Sequence, residues 1–107
     1  MITLLHDAQK QFQKIQTLLN HLHNDDLTTL SIATEEAYVL MNEGMCASTS
    51  VCHECAEHRD FIRKMLDVLG NLEEHGEPIE TYGNEFSEYS VRIDKILKNI
   101  QIALSSS

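Results

Sequence analysis

Four stretches of the chain carry apolar or small residues at alternating spacings of three and four. They are Leu5, Ala8, Phe12, Ile15, Leu19 and Leu22; Leu27, Leu30, Thr34, Ala37 and Met41; Val51, Cys55, His58, Ile62, Met65, Leu69 and Leu72; and Ile79, Tyr82, Phe86, Tyr89, Ile93, Ile96, Ile100 and Ala103. Such spacing keeps one face of an α-helix turned toward a partner helix along its whole length. Four stripes joined by short polar connections predict an all-α, antiparallel up-down-up-down four-helix bundle, since short connections force neighbouring helices to run in opposite directions.

The 107 residues suffice for a single domain spanning 1–107, and a domain of this size buries roughly two-thirds of the surface its unfolded chain exposes. One proline, four glycines and no tryptophan suit helices better than a sandwich or barrel. The predicted helices cover residues 3–24, 26–43, 50–75 and 78–104. Thr3 is a candidate N-cap, and His21 and His23 fall in the last turn of the first helix, where a protonated imidazole complements the dipole. Asp25 or Asp26 caps the second helix and Gly44 ends it; Ala47 to Ser50 offers N-caps for the third; Pro78 suits the first position of the fourth. Gly83 inside the fourth helix costs roughly 1 kcal/mol relative to alanine, which predicts either a closely packed neighbour or a kink near Tyr82. The second stripe is the least clear. Leu30, Ala33, Ala37 and Leu40 define an alternative face that fits as well.

The formal net charge of −9 is unevenly spread: residues 1–24 sum to +1, 25–44 to −5, 45–76 to −3 and 77–107 to −2. An acidic surface repels phosphate backbones and anionic lipid, which disfavours nucleic-acid or membrane-surface binding. A basic protein partner, a cation or plain solubility fits that charge, and a protein partner, basic or helical, is expected. No apolar run approaches the roughly 20 residues needed to cross a bilayer. The amphipathic pattern follows directly on Met1-Ile2-Thr3, so no secretory signal is expected, and three cysteines that cannot all pair within one chain suit a reducing cytoplasm.

The densest set of chemically capable side chains runs from Cys46 to His58. Thiolate and imidazole are the ligands zinc prefers, and the spacing of Cys52, Cys55 and His58, with Cys46 upstream, makes these four the candidates for a zinc or other transition-metal site. On a regular helix, residues three apart advance by about 60° around the axis, so convergence on one ion requires an irregular helix start. The second CxxC pair of a zinc ribbon is missing. The reading preferred here is that Cys55 and His58 fill the core, with no metal and no cofactor. A core imidazole needs a hydrogen-bond partner, for which Glu54, Tyr82 and Tyr89 are placed. The chain has no Glu-x-x-His pair of the kind di-iron bundles use, and residues 24–52 and 76–107 contain no histidine. A phosphate-carrying histidine would need solvent exposure beside a cation and a small residue; His53 has glutamates around it and His58 falls on the core stripe.

Neither a glycine-rich phosphate loop nor a Ser-His-Asp order, paired catalytic carboxylates or an arginine clamp is present. No catalytic activity is expected. In size, acidity and helix content the chain is similar to bacterial flagellar and type III export chaperones or small anti-σ factors, which implies an adaptor, anti-activator or secretion-chaperone-like interaction module. The alternative is a metal- or redox-responsive bundle built on the Cys/His set. A homodimer through the spare stripe of the second helix is compatible with either. The second helix, the most acidic, and the Cys55 and His58 positions are where function is expected to lie.

Overall fold

A computed structural model describes residues 2–42 and 55–105. Four α-helices occur among them, α1 (Ile2–Asn20), α2 (Leu27–Asn42), α3 (Cys55–His75) and α4 (Gly83–Ser105), with short 3-10 turns at Asn24–Asp26 and Ile79–Tyr82 leading into α2 and α4. No strand is present among the described residues. The protein is an all-α four-helix bundle, as the stripes predict. α1 packs against α2 and α4, and α3 packs against the same two helices. The direction of α4 relative to α1 is set out by two side-chain pairs, Gln9 with Gln101 at 3.0 Å and Gln16 with Asp94 at 2.6 Å. Seven residues forward along α1 match seven backward along α4, so these helices are antiparallel.

The core follows the stripes closely. Leu5, Ala8, Phe12 and Ile15 of α1 are buried, as are all five members of the α2 set, and so are Ile62, Met65, Leu69 and Leu72 of α3 and Phe86 through Ala103 of the α4 set. Leu19, Leu22, Ile79 and Tyr82 pack at the bundle end, partly buried. Two further residues of α3, Phe61 and Val68, are buried, widening its apolar face beyond a single seam. The ambiguity in α2 resolves toward the first stripe with Ala33 added, while Leu40 is only partly buried. Ala33 and Ala37 are small enough for α1 to approach, and Gln11 of α1 donates its side-chain amide to the Ala33 carbonyl at 2.8 Å.

The predicted helix ends shift at several points, each with a local cause. α1 begins at Ile2, so Thr3 lies inside it, and it ends at Asn20, leaving His21 and His23 beyond its last turn. The chain turns early because His23 is extended and the polar run after it closes on itself. The His23 backbone N–H donates to the Asp26 carboxylate at 3.2 Å, and the Asp26 N–H donates to the His23 carbonyl at 2.9 Å. Asp and Asn side chains compete with helix in this way by offering the backbone local partners. α3 stops at His75 because Gly76 adopts φ +63°, and its N–H reaches the Leu72 carbonyl at 2.9 Å. Pro78 precedes its helical turn rather than opening it, extended at φ −70°, ψ 149°, with its carbonyl accepting from Thr81 N–H at 3.0 Å. Gly83 sits where the 3-10 turn passes into α4 with ordinary helical dihedrals, and a Cβ there would meet nothing within 4 Å. The closely packed neighbour expected at Gly83 is therefore not there. Gly44 and the predicted caps at 47–50 lie outside the described residues.

Candidate functional site

The interior holds a polar link that the stripes do not announce. Thr34 of α2 and Tyr89 of α4 are both fully buried, and their hydroxyl oxygens lie 2.8 Å apart. Thr34 Oγ1 also bonds the Leu30 carbonyl at 2.7 Å. A hydroxyl has one proton to give. With that of Thr34 directed to Leu30, the Tyr89 O–H is the donor to Thr34 Oγ1, and the chain of bonds ends on the α2 backbone. Burial pushes the Tyr89 phenol well above its ordinary value of 10.0, with the Thr34 bond opposing that rise, so it stays a neutral donor. Phe61 of α3 meets the Tyr89 ring at a centroid distance of 6.1 Å and a tilt of 59°, an edge-inclined geometry that aromatic pairs favour. On its solvent side, Phe61 carries the Arg92 guanidinium 4.7 Å above its centroid. The 3-4 spacing puts Thr34 and Tyr89 on core faces without pairing them. The available signal was that a threonine on a core stripe needs a partner.

The Cys/His set is only partly described. Cys46 and Cys52 lie outside the described residues, and Cys55 is the first residue of α3. His58 is 3 % exposed, a core residue as its place on the stripe predicts. Beside it a hollow of about 180 Å³ is lined by Glu57, Glu88, Val91, Arg92 and Lys95, with Arg92 Nη2 and Glu88 Oε1, one turn apart on α4, at 3.4 Å. Of the tyrosines placed to meet His58, Tyr82 is partly buried and Tyr89 has its hydroxyl on Thr34. Among the described residues no three histidine, cysteine, aspartate or glutamate side chains are grouped to hold a metal ion.

Two other depressions are broad and open. One of about 560 Å³ lies at the end where the connections meet, between Leu27 and Thr28 on one side and Glu73 and Glu77 on the other. The second, about 440 Å³, follows the α1–α4 groove along the Gln9–Gln101 and Gln16–Asp94 pairs.

The outer surfaces of α2 and α4 are more distinctive. Ile32 is 52 % exposed and Val39 45 % exposed, seven residues apart on one face of α2, with the exposed carboxylates of Glu35 and Glu36 between them. α2 contains no lysine or arginine. Val91, 55 % exposed, and Ile102, 59 % exposed, lie on the outer face of α4, with Lys95 and Lys98 between them. Spacings of seven and eleven residues return to within about 20° of the starting direction on a helix, so each set forms a stripe. Scattered single apolar side chains are ordinary on a surface, whereas two aligned along one helix around like charges form a patch.

No protein-family model, curated protein or solved structure matches the chain. No helix among the described residues is long and apolar enough to cross a membrane.

Proposed function

We propose that the protein is a small helical interaction module of the cytoplasm, without catalytic activity, acting as an adaptor, anti-activator or secretion-chaperone-like protein. Its docking surface is the outer face of α2, and its partner presents a basic amphipathic helix. The observation that carries this reading is the exposed Ile32 and Val39 flanking Glu35 and Glu36 on a helix that has no basic residue. α2 already buries Leu27, Leu30, Ala33, Thr34, Ala37 and Met41 on its inner face, so its remaining apolar residues are surplus to the core. A helix laid along this face would cover Ile32 and Val39 and set its cations against the two carboxylates, the helix-in-groove mode of recognition.

The test is a titration with a fluorescent amphipathic peptide made only of leucine and lysine. Covering two half-exposed aliphatic side chains is worth about 1 to 2 kcal/mol, so Ile32→Ser with Val39→Ser, which leaves the charge unchanged, weakens binding by roughly five- to thirtyfold. Lys95→Glu with Lys98→Glu, on the far side of the bundle, leaves the affinity of α2 for the peptide within about twofold. Binding insensitive to the α2 pair, with helicity unchanged by circular dichroism, would refute the assignment of this face. So would failure of the peptide to bind the native protein.

A further inference from the structure

The exposed stripes of α2 and α4 are complementary to each other. The α2 stripe reads apolar, acidic, acidic, apolar in Ile32, Glu35, Glu36 and Val39; the α4 stripe reads apolar, basic, basic, apolar in Val91, Lys95, Lys98 and Ile102. We infer that the basic helix received by α2 is α4 of a second copy of this chain, so that the protein associates with itself head to tail. This rests on the reading of the α2 outer face as a docking surface.

The dimensions suit the pairing. At 1.5 Å per residue the α2 stripe is about 10 Å long and the α4 stripe about 16 Å. The difference leaves about 3 Å at each end, which the flexible lysine stems can span while their methylenes lie over Ile32 and Val39. Among the described residues the one ion pair on α4 is Arg92 with Glu88, so Lys95 and Lys98 bring cations that no described carboxylate within the chain has paired.

Position in the bundle decides the symmetry. α2 and α4 each lie between α1 and α3, which makes them diagonal neighbours whose outer faces point to opposite sides. A single two-fold dimer interface therefore cannot contain both stripes. Each copy instead offers its α4 to one neighbour and its α2 to another, the heterologous arrangement that extends into short linear oligomers unless a rotation closes it. One helix on one helix is a small interface, below the area of stable complexes, so association is weak and rises with concentration.

The experiment is sedimentation equilibrium of the full chain from about 10 µM to about 500 µM, the range in which a weak contact populates oligomers. The weight-average mass of the native protein is expected to climb above the monomer across this range. Glu35→Lys with Glu36→Lys returns it to monomer, and so does Lys95→Glu with Lys98→Glu. All four substitutions in one chain restore association, because the charges are exchanged rather than lost. The first pair is the sharpest arm. It moves the net charge from −9 to −5, each change replacing −1 by +1, and so lowers general repulsion while removing the specific contact. All four positions are exposed, and circular dichroism confirms that each variant keeps its helicity.

A native protein that stays monomeric to the highest concentration overturns the inference, as does association indifferent to either charge pair. The leucine–lysine peptide separates this failure from that of the broader reading. A monomer whose α2 face still binds the peptide, and binds it more weakly with Ile32→Ser and Val39→Ser, refutes the second copy as occupant and leaves the docking face standing. A monomer that binds no peptide refutes both.

Discussion

Replacing Thr34 by valine and Tyr89 by phenylalanine, singly and together, tests whether the buried hydroxyl pair ties α2 to α4. Thr34→Val exchanges a hydroxyl for a methyl at a site with no exposure and leaves the Tyr89 O–H without its acceptor at 2.8 Å. A buried donor stripped of its partner costs about 1–3 kcal/mol, of which the added methyl returns up to about 0.8 kcal/mol. The Leu30 carbonyl keeps its helical bond and loses little. Tyr89→Phe removes the donor instead, and Thr34 Oγ1 retains Leu30, so this change costs about 0.5–1.5 kcal/mol. With both hydroxyls gone the two helices face each other with apolar groups of similar shape, and the double variant loses less than the sum of the singles by about 1–2 kcal/mol. Urea unfolding followed by helix ellipticity is the assay. For a chain of this size about 1 kcal/mol lowers the midpoint by roughly 1 M at an unchanged slope. Strict additivity of the two changes, or a Thr34→Val protein as stable as the native one, would show that the pair is not coupled and refute the assigned donor and acceptor roles.

Glycines give an opposed pair of expectations. Gly83→Ala raises stability by about 0.5–1 kcal/mol, because its dihedrals are helical and the new Cβ meets nothing, whereas Gly76→Ala lowers it by about 1–2 kcal/mol because φ there is +63°; thermal melts of the two variants should move in opposite directions. Alkaline titration reads the Tyr89 phenol. Its folded pKa is raised above the ordinary 10.0, so its contribution to stability is complete below that pH and falls above it, where only the unfolded chain loses the proton, by up to about 1.4 kcal/mol per pH unit. Tyrosinate absorbance should show Tyr89 ionising only with loss of helix; its ionisation while the helices persist would contradict its burial.

Period and composition are properties of the chain, and they were enough to determine the all-α class, the four helices and most of the core. Leu5 through Ile15, Leu27 through Met41, and Phe86 through Ala103 are buried where a 3-4 spacing puts them, since burial of an amphipathic face depends on little except which side carries it. Helix ends were less legible. Asn20, His23 and Pro78 took roles decided by which local hydrogen bond closes first, and helix and capped turn differ there by about 1 kcal/mol or less. The ambiguity of α2 in the sequence proved to be physical, because that helix carries apolar residues on both faces and only packing against α1 and α3 shows Ile32 and Val39 to be outside. His58 was placed in the core by its register alone.

What the tertiary structure decided is everything that depends on residues distant in the chain. Thr34 and Tyr89 are 55 positions apart, and a hydrogen bond between them exists only once the bundle sets how far α4 has slid along its neighbours. The opposition of the acidic α2 stripe to the basic α4 stripe, on opposite sides of one molecule, likewise follows from which helices are diagonal. A stripe is written in the spacing of side chains along one helix. Its neighbour is chosen by the packing of four.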